Sequence, residues 1–281
     1  MIDRRLSAAD ATALLPGPSA LPASSAVSTP GLINQFLEWF GDLGIFFWQV
    51  LRAAVTPPFE FRELFRQLDE IGSKSLPLVA LAGAATGIVL SMEARFSLTR
   101  FGAKSLLPAA IVFSIIHETG PIITGLVVSG RVGAGIGAEL ASMKVTEQID
   151  AIEASAVNPY RLLAATRILA CILMLPLLTL AADFSGLIMG WVAQALVEPL
   201  SLHQFINSGF KGASFNDLLP PTFKTMVFGL IIGLIACFQG MRTQGGAAGV
   251  GRAATSSVVL SSLFVILADV VLVKLIIIFF P

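Results

Sequence analysis

Apolar residues gather along this chain into five runs: 75–92, 105–130, 168–190, 225–241 and 253–280. Each approaches the ~20 residues that a helix needs to cross a bilayer core. The third run continues to residue 197 with Asp183 as its single charge, so it reads as one tilted span or as a span followed by a re-entrant piece. The fifth holds Asp269 and Lys274. Ahead of them, residues 31–56 are aromatic and apolar but interrupted by Glu38 and Asp42, with Trp39 and Trp48 suited to headgroup depth. That pattern predicts a helix lying in the interface. Pro57-Pro58 separates it from a short amphipathic piece over 60–74. The pattern therefore divides the chain into a tail (1–30), interfacial helices (31–74) and a membrane domain (75–281). The fold class expected is all-α, with an N-terminal interfacial helix and five transmembrane helices.

Composition agrees with this pattern and removes other classes. Hydrophobic residues make up 55% and charged residues 13% of 281, about half the ~25% charge of soluble domains. Net charge is zero, so no basic field attracts nucleic acid. Cys171 and Cys237 sit inside apolar runs and read as small hydrophobes, with no metal-ligand spacing around them. The Pro/Ser/Ala-rich start lacks the apolar core of a signal peptide and reads as a disordered tail. With the N-terminus inside, twelve lysines and arginines fall on the cytoplasmic side and five outside. The positive-inside rule then puts the N-terminus in the cytoplasm and the C-terminus in the periplasm.

The second run contains the first candidate for chemistry. Between residues 105 and 130 the ionisable side chains before Gly130 are His117 and Glu118, in "FSIIHETGPIITG". An ionised residue at a helix centre costs ~2.5–3.5 kcal/mol in a bilayer, so such residues turn inward to a partner or a cavity. On a regular helix Ser114, Glu118, Gly125 and Ser129 share a small polar face, and Ile116, Ile123 and Val127 face away from it. Gly120 and Pro121 follow at once. Pro121 lacks the N–H that would bond the carbonyl of residue 117, which predicts a kink beside Glu118. A glutamate that only fixes packing is the alternative.

Between the second and third runs lies a charged stretch, "SGRVGAGIGAELASMKVTEQIDAIEASAVNP". Leu140, Met143, Ile149, Ile152 and Ala156 draw an apolar stripe, with Glu147, Asp150 and Glu153 along its rim. This predicts a cytoplasmic amphipathic helix long enough to dock on a partner, the alternative being a solvated linker.

Residues 117–163, "HETGPIITGLVVSGRVGAGIGAELASMKVTEQIDAIEASAVNPYRLL", resemble the signature block of the MlaE/YrbE permeases, the membrane subunits of Mce-type lipid ABC transporters. The likeness continues in "LPLLT", "GVGRAAT" and "LADVVL" and spans roughly residues 60–281. It implies a homodimeric inner-membrane permease that moves phospholipid and supports outer-membrane lipid asymmetry. It also implies a cytoplasmic ABC ATPase that binds the ATP and magnesium, a periplasmic MCE-domain partner, and no cofactor or catalysis in this chain. Carried over by residue, His117, Glu118 and Arg252 become charged lipid-pocket positions. Residues 144–155 become the ATPase coupling helix, with Lys144, Glu147, Ile149, Asp150, Ile152 and Glu153. The chain departs from the family pattern at His117, where arginine is common, and at Thr119, where leucine is usual. A histidine need not be charged near neutral pH.

Other readings are weaker. HETGP begins like a zinc-protease HExxH, but Pro121 stands where the second histidine would be. GVGRAA follows an apolar run instead of a strand, so it is no dinucleotide fingerprint, and GxxxxGK[ST] is missing from the sequence. A proton-coupled carrier using His117 and Glu118 is the alternative from another class, but inverted sequence halves are not evident.

Overall fold

In the computed structural model the described residues are 32–57, 60–211 and 215–279, and every element among them is helical. The expected tail, 1–30, lies outside them. The first helix, α1 (Leu32–Val55), is one uninterrupted piece. Its later part buries Phe46, Val50 and Ala53, with Phe46 edge-on to Tyr160 and Phe238 at ring distances of 5.7 and 5.6 Å. Trp48 stays 66% exposed, as an interfacial aromatic would.

Among the described residues, five helices are long and apolar enough to cross a membrane: Phe61–Arg100, Lys104–Val145, Tyr160–Ala195, Leu219–Met241 and Gly246–Phe279. This matches the count from sequence but not the expected ends. The piece over 60–74 and the first run form one helix, α2 (Phe61–Arg100), of 40 residues. Amphipathic and apolar stretches share the same helical period, so no break is needed where composition changes. Pro77 sits inside α2 without ending it. The third run is likewise continuous, as a turn of π-helix (Tyr160–Ala165) leading into a helix ending at Ala195. No re-entrant piece interrupts it.

The second span is the irregular one. After a short turn at Lys104–Leu106 it runs through α3 (Leu107–Ser114), α4 (Gly120–Val128) and α5 (Ala134–Val145). Two π-helical turns, Ile115–Thr119 and Ser129–Gly133, join these helices. A π-turn holds an extra residue and rotates all that follows. Ile116, expected on the lipid side, is therefore buried against Leu107, Ile111, Val112 and Phe205. The remaining helices are α6 (Gln148–Ala154), α7 (Thr166–Ala195), α8 (Leu202–Gly209), α9 (Phe215–Met241) and α10 (Gly246–Phe279).

Helix α8 opens with a capping box, Ser201 accepting from the Gln204 N–H while the Gln204 side chain accepts from Ser201. It buries Phe205 on α3. Beyond α7, Glu198 pairs with Arg95 at 2.8 Å and Lys104 at 3.0 Å, fastening the loop to the end of α2. The hydrogen bond from Lys104, then the charge of Arg95, holds the Glu198 carboxyl below its usual range.

Small residues set how closely the spans meet. A Cβ on Gly83 would overlap the carbonyl of Ala182, and one on Gly87 the carbonyl of Gly186, so α2 and α7 cross backbone to backbone. Gly229 meets Cys171 and Ile172 in the same way, pressing α9 on α7. In lipid, where apolar burial gives little preference for helix over hydrocarbon, such close packing is what holds helices together.

Gly87→Val therefore forces two backbones apart and is expected to lower the melting temperature of the detergent-purified protein by several degrees. Gly251→Ala, where a Cβ meets nothing within 4 Å, is expected to leave it unchanged or raise it slightly. Equal melting temperatures for both variants would contradict this account of the α2–α7 crossing.

Candidate functional site

The buried charge in the membrane region converges on Lys224. Its side chain is 1% exposed, and its Nζ lies 3.0 Å from Glu118 Oε2 and 2.9 Å from Asp269 Oδ1. Contact with Glu118 is a hydrogen bond. Asp269 is near enough for an ion pair but is not aligned as a hydrogen bond. The three residues come from the second, fourth and fifth spans. Asp269 is 4% exposed while Glu118 is 47% exposed, so Glu118 forms the open side of the triad. Buried charges need partners because an unpaired ion in low dielectric costs several kcal/mol.

Local structure explains why Glu118 stands there. It sits in the π-turn Ile115–Thr119, where the Gly120 N–H reaches back to the Ile115 carbonyl. Pro121 removes the donor that an α-helix would place on the His117 carbonyl. The expected kink takes the form of this extra residue. Gly120 is required by its neighbour, since a Cβ would overlap Asp183 Oδ1. Asp183, on α7, is 5% exposed, and that oxygen has no hydrogen-bond partner among the described residues. His117 stacks on Phe113 at a ring distance of 4.0 Å.

Depth follows from counting residues. Lys104 precedes Glu118 by 14 residues and Arg131 follows it by 13. At 1.5 Å per residue these are about 21 and 20 Å. The total matches the ~40–45 Å of a bilayer with its headgroups, so Glu118 lies well inside the membrane-spanning region, while Lys224, five residues into the fourth span, and Asp269, ten residues before the end of the fifth, stand nearer one end of theirs. Asp183 agrees with Glu118, with Arg167 16 residues before it and Glu198 15 after it.

Outward from the triad runs a cleft of about 540 Å³ between α9 and α10, lined by Leu219, Phe223, Val227, Leu272, Ile276 and neighbours. Among the described residues that line it, Lys224 alone is charged. An apolar trough ending on an ion cluster suits a molecule with hydrocarbon and charge in one piece.

Arg252 is not part of this site. It precedes Asp269 on α10 by 17 residues, about 25 Å along the axis, and is exposed beside Gly245. Its expected place beside Glu118 is taken by Lys224. Sequence reasoning assigned Lys224 to a loop because it stands one residue before the apolar run 225–241. Asp183 and Asp269 were visible as charges inside runs, which is the signal that should have linked them.

The expected coupling helix is also rearranged. Lys144 ends α5, and the chain turns at Glu147, whose φ of 59° is left-handed, before the seven residues of α6. Ala156 repeats that conformation beyond it, with φ of 59°. Residues 144–155 are thus a cornered hairpin, closed by Lys144 to Asp150 at 2.7 Å. Ile149 is 4% exposed and belongs to the protein's own core. Ile152 is half-buried, and Glu147, Asp150 and Glu153 point outward.

The family model described as permease MlaE matches residues 64–275. A probable ABC transporter permease protein of Rickettsia typhi is 34% identical over 241 residues, covering 86% of this chain and 93% of that protein. A protein of the same description from a Synechocystis strain is 31% identical over 246 residues, with 86% and 94% covered. Protein TRIGALACTOSYLDIACYLGLYCEROL 1, chloroplastic, of Arabidopsis thaliana is 32% identical over 224 residues, with 80% of this chain and 64% of that protein covered.

Replacing Lys224 by Met leaves two carboxyls facing each other without a cation. This variant is expected to lose ~3–5 kcal/mol of stability, read as a large drop in the detergent melting temperature. Glu118→Gln, which keeps a hydrogen-bond acceptor on the open side, is expected to cost far less. A Lys224→Met protein as stable as the parent would show that the triad does not hold the spans together.

Proposed function

The chain belongs to the MlaE permease family of ABC transporter membrane subunits, and on that premise we propose that it moves phospholipid between the inner membrane and a periplasmic MCE-domain partner. The permease subunit itself is non-catalytic, and ATP hydrolysis resides in a separate subunit of the transporter. Family membership makes the proton-coupled carrier the weaker reading. The observation that carries the lipid reading is the apolar cleft ending on Lys224 beside the half-exposed Glu118. Hydrocarbon lies along α9 and α10, and the polar head meets an ammonium and a carboxylate inside the membrane span. The name of the Arabidopsis relative, which is that of a galactolipid, supports a lipid substrate.

The working unit on this reading is a homodimer in the inner membrane, N-terminus cytoplasmic and C-terminus periplasmic. The long apolar face of α10, with Val259, Val270, Val271 and Ile277 exposed, is available to a second copy or to lipid. The hairpin around α6 meets the ATPase. Its corners at Glu147 and Ala156 place non-glycine residues in left-handed backbone, at ~1–3 kcal/mol each, and so fix the outward acids in one orientation. With Ile149 turned inward, the contact with the ATPase is polar, and its charges set register and partner choice.

Two outcomes test this. Glu118→Ala should reduce ATP-driven phospholipid transfer between inner-membrane-like and acceptor vesicles while the complex still assembles. Normal transfer would remove Glu118 from the substrate path. Reversing Glu147 and Glu153 to Lys together, which spares the Lys144–Asp150 bridge, should abolish co-purification of the ATPase while the permease still reaches the membrane. Lys144→Ala should do little, since an exposed ion pair contributes only ~0–1 kcal/mol. Intact ATPase binding in the double reversal would make the hairpin a linker.

A further inference from the structure

A second polar cavity lies well away from the triad. It holds about 380 Å³ between the first half of α2 and the second π-turn with α5, lined by Arg66, Glu70, Arg131, Gly135, Glu139 and Ile136 among others. Its depth follows from Arg131, about 20 Å from Glu118 along the second span, which is headgroup level. Both signs of charge face it. Arg131 donates through Nη1 to Ser75 Oγ at 2.6 Å and to the Glu70 carbonyl at 3.5 Å, and its Nε and Nη2 have no acceptor among the described residues. Gln67, on the same wall, is 4% exposed and is fixed by a 2.9 Å bond to Glu63. Glu139, which also lines the cavity, gives one oxygen to the buried Arg167 at 2.8 Å, and its other oxygen has no partner among the described residues. Ile71 and Ile136 supply an apolar, buried floor.

Two guanidiniums and two carboxylates around a cavity of this size, at the depth where phosphates lie, match a ligand with an anion and a cation a few ångströms apart. We propose that this cavity holds the headgroup of a zwitterionic phospholipid from the adjoining leaflet, its phosphate on Arg66 and Arg131 and its ammonium on Glu70 and Glu139. The site is separate from the Lys224 triad, and the inference rests on the reading that the transporter handles phospholipid. A guanidinium pair suits the phosphate because planar N–H forks match its oxygens. Arg66 already holds Glu63 at 2.7 Å, Glu70 pairs with Lys74 and Glu139 with Arg167, and Glu70 and Glu139 each keep one oxygen over for the amine of the head.

The full-length chain in nanodiscs, with a phosphatidylethanolamine bearing a photoactivatable group near its head, tests this. Adducts are expected on peptides covering 66–71 and 131–139. Arg66→Gln with Arg131→Gln should cut their yield about tenfold or more, since two charge-assisted hydrogen bonds are lost. Gly135→Leu provides an arm that leaves every charge in place. A Cβ there meets nothing within 4 Å, leucine favours helix over glycine, and the added side chain should block the adduct equally. Excess unlabelled phosphatidylethanolamine should compete, whereas phosphatidylglycerol, glycerophosphoethanolamine and inorganic phosphate should not. Unchanged adduct yield in both variants, or competition by the water-soluble phosphates, would overturn the proposal. Lost adducts with intact ATP-driven transfer by the wild-type complex would be the signature of a failed cavity alone. Adducts in place with no lipid transfer by that complex would instead overturn the phospholipid reading.

Discussion

A lysine ammonium sealed in hydrocarbon must be neutralised, and the arrangement of this permease follows from how that is done. Lys224 is 1% exposed on α9, and two carboxylates come to it from the second and fifth spans. The π-turn that carries Glu118 and the close approach of Gly120 to Asp183 bring the second span into position. Glycine crossings between α2 and α7, and between α7 and α9, hold the frame around it. Polar contact at the centre fixes which helices meet, while small residues fix how near they come. The same cluster that holds three spans together borders the apolar cleft between α9 and α10 through Lys224.

Much of this was legible in the sequence. The five runs marked five spans because a bilayer demands length and apolarity together, and both can be counted. Their ends were less legible, since α2 continues through the amphipathic residues before Ser75 without any change in helical period. Glu118 and Pro121 were readable as an inward charge beside a disrupted helix. The extra residue of the π-turn was not, because a one-residue bulge shifts faces without altering composition, and Ile116 moved inward as a result. The partner of Glu118 was misassigned for a related reason. Family resemblance supplied a charged position, Arg252, but not its distance, whereas Lys224 fell one residue outside an apolar run and was read as loop. At residues 144–155 the periodicity suggested one helix. Glu147 and Ala156 break it in left-handed backbone with neither glycine nor proline to announce the turns.

The two polar sites differ in what their surroundings allow. At headgroup level, Arg131 and Glu139 keep partners that water could partly replace, so each group tolerates a visiting ligand. In the triad Lys224 and Asp269 are sealed from solvent and are matched within the protein. Pairing is therefore strict in the triad and loose in the cavity near the membrane surface. The difference reflects local dielectric more than residue choice.

The depth of the triad has an electrical consequence. Glu118 lies inside the second span, and hence part-way through the voltage drop across an energised membrane. A full crossing by one elementary charge is worth ~2.3 kcal/mol per 100 mV. A unit charge that reaches the triad, or a proton gained or lost there, therefore exchanges a fraction of that with the field. A head that brings matched charges exchanges almost nothing, whereas a net anion must do work against the potential or draw work from it, according to its direction of travel.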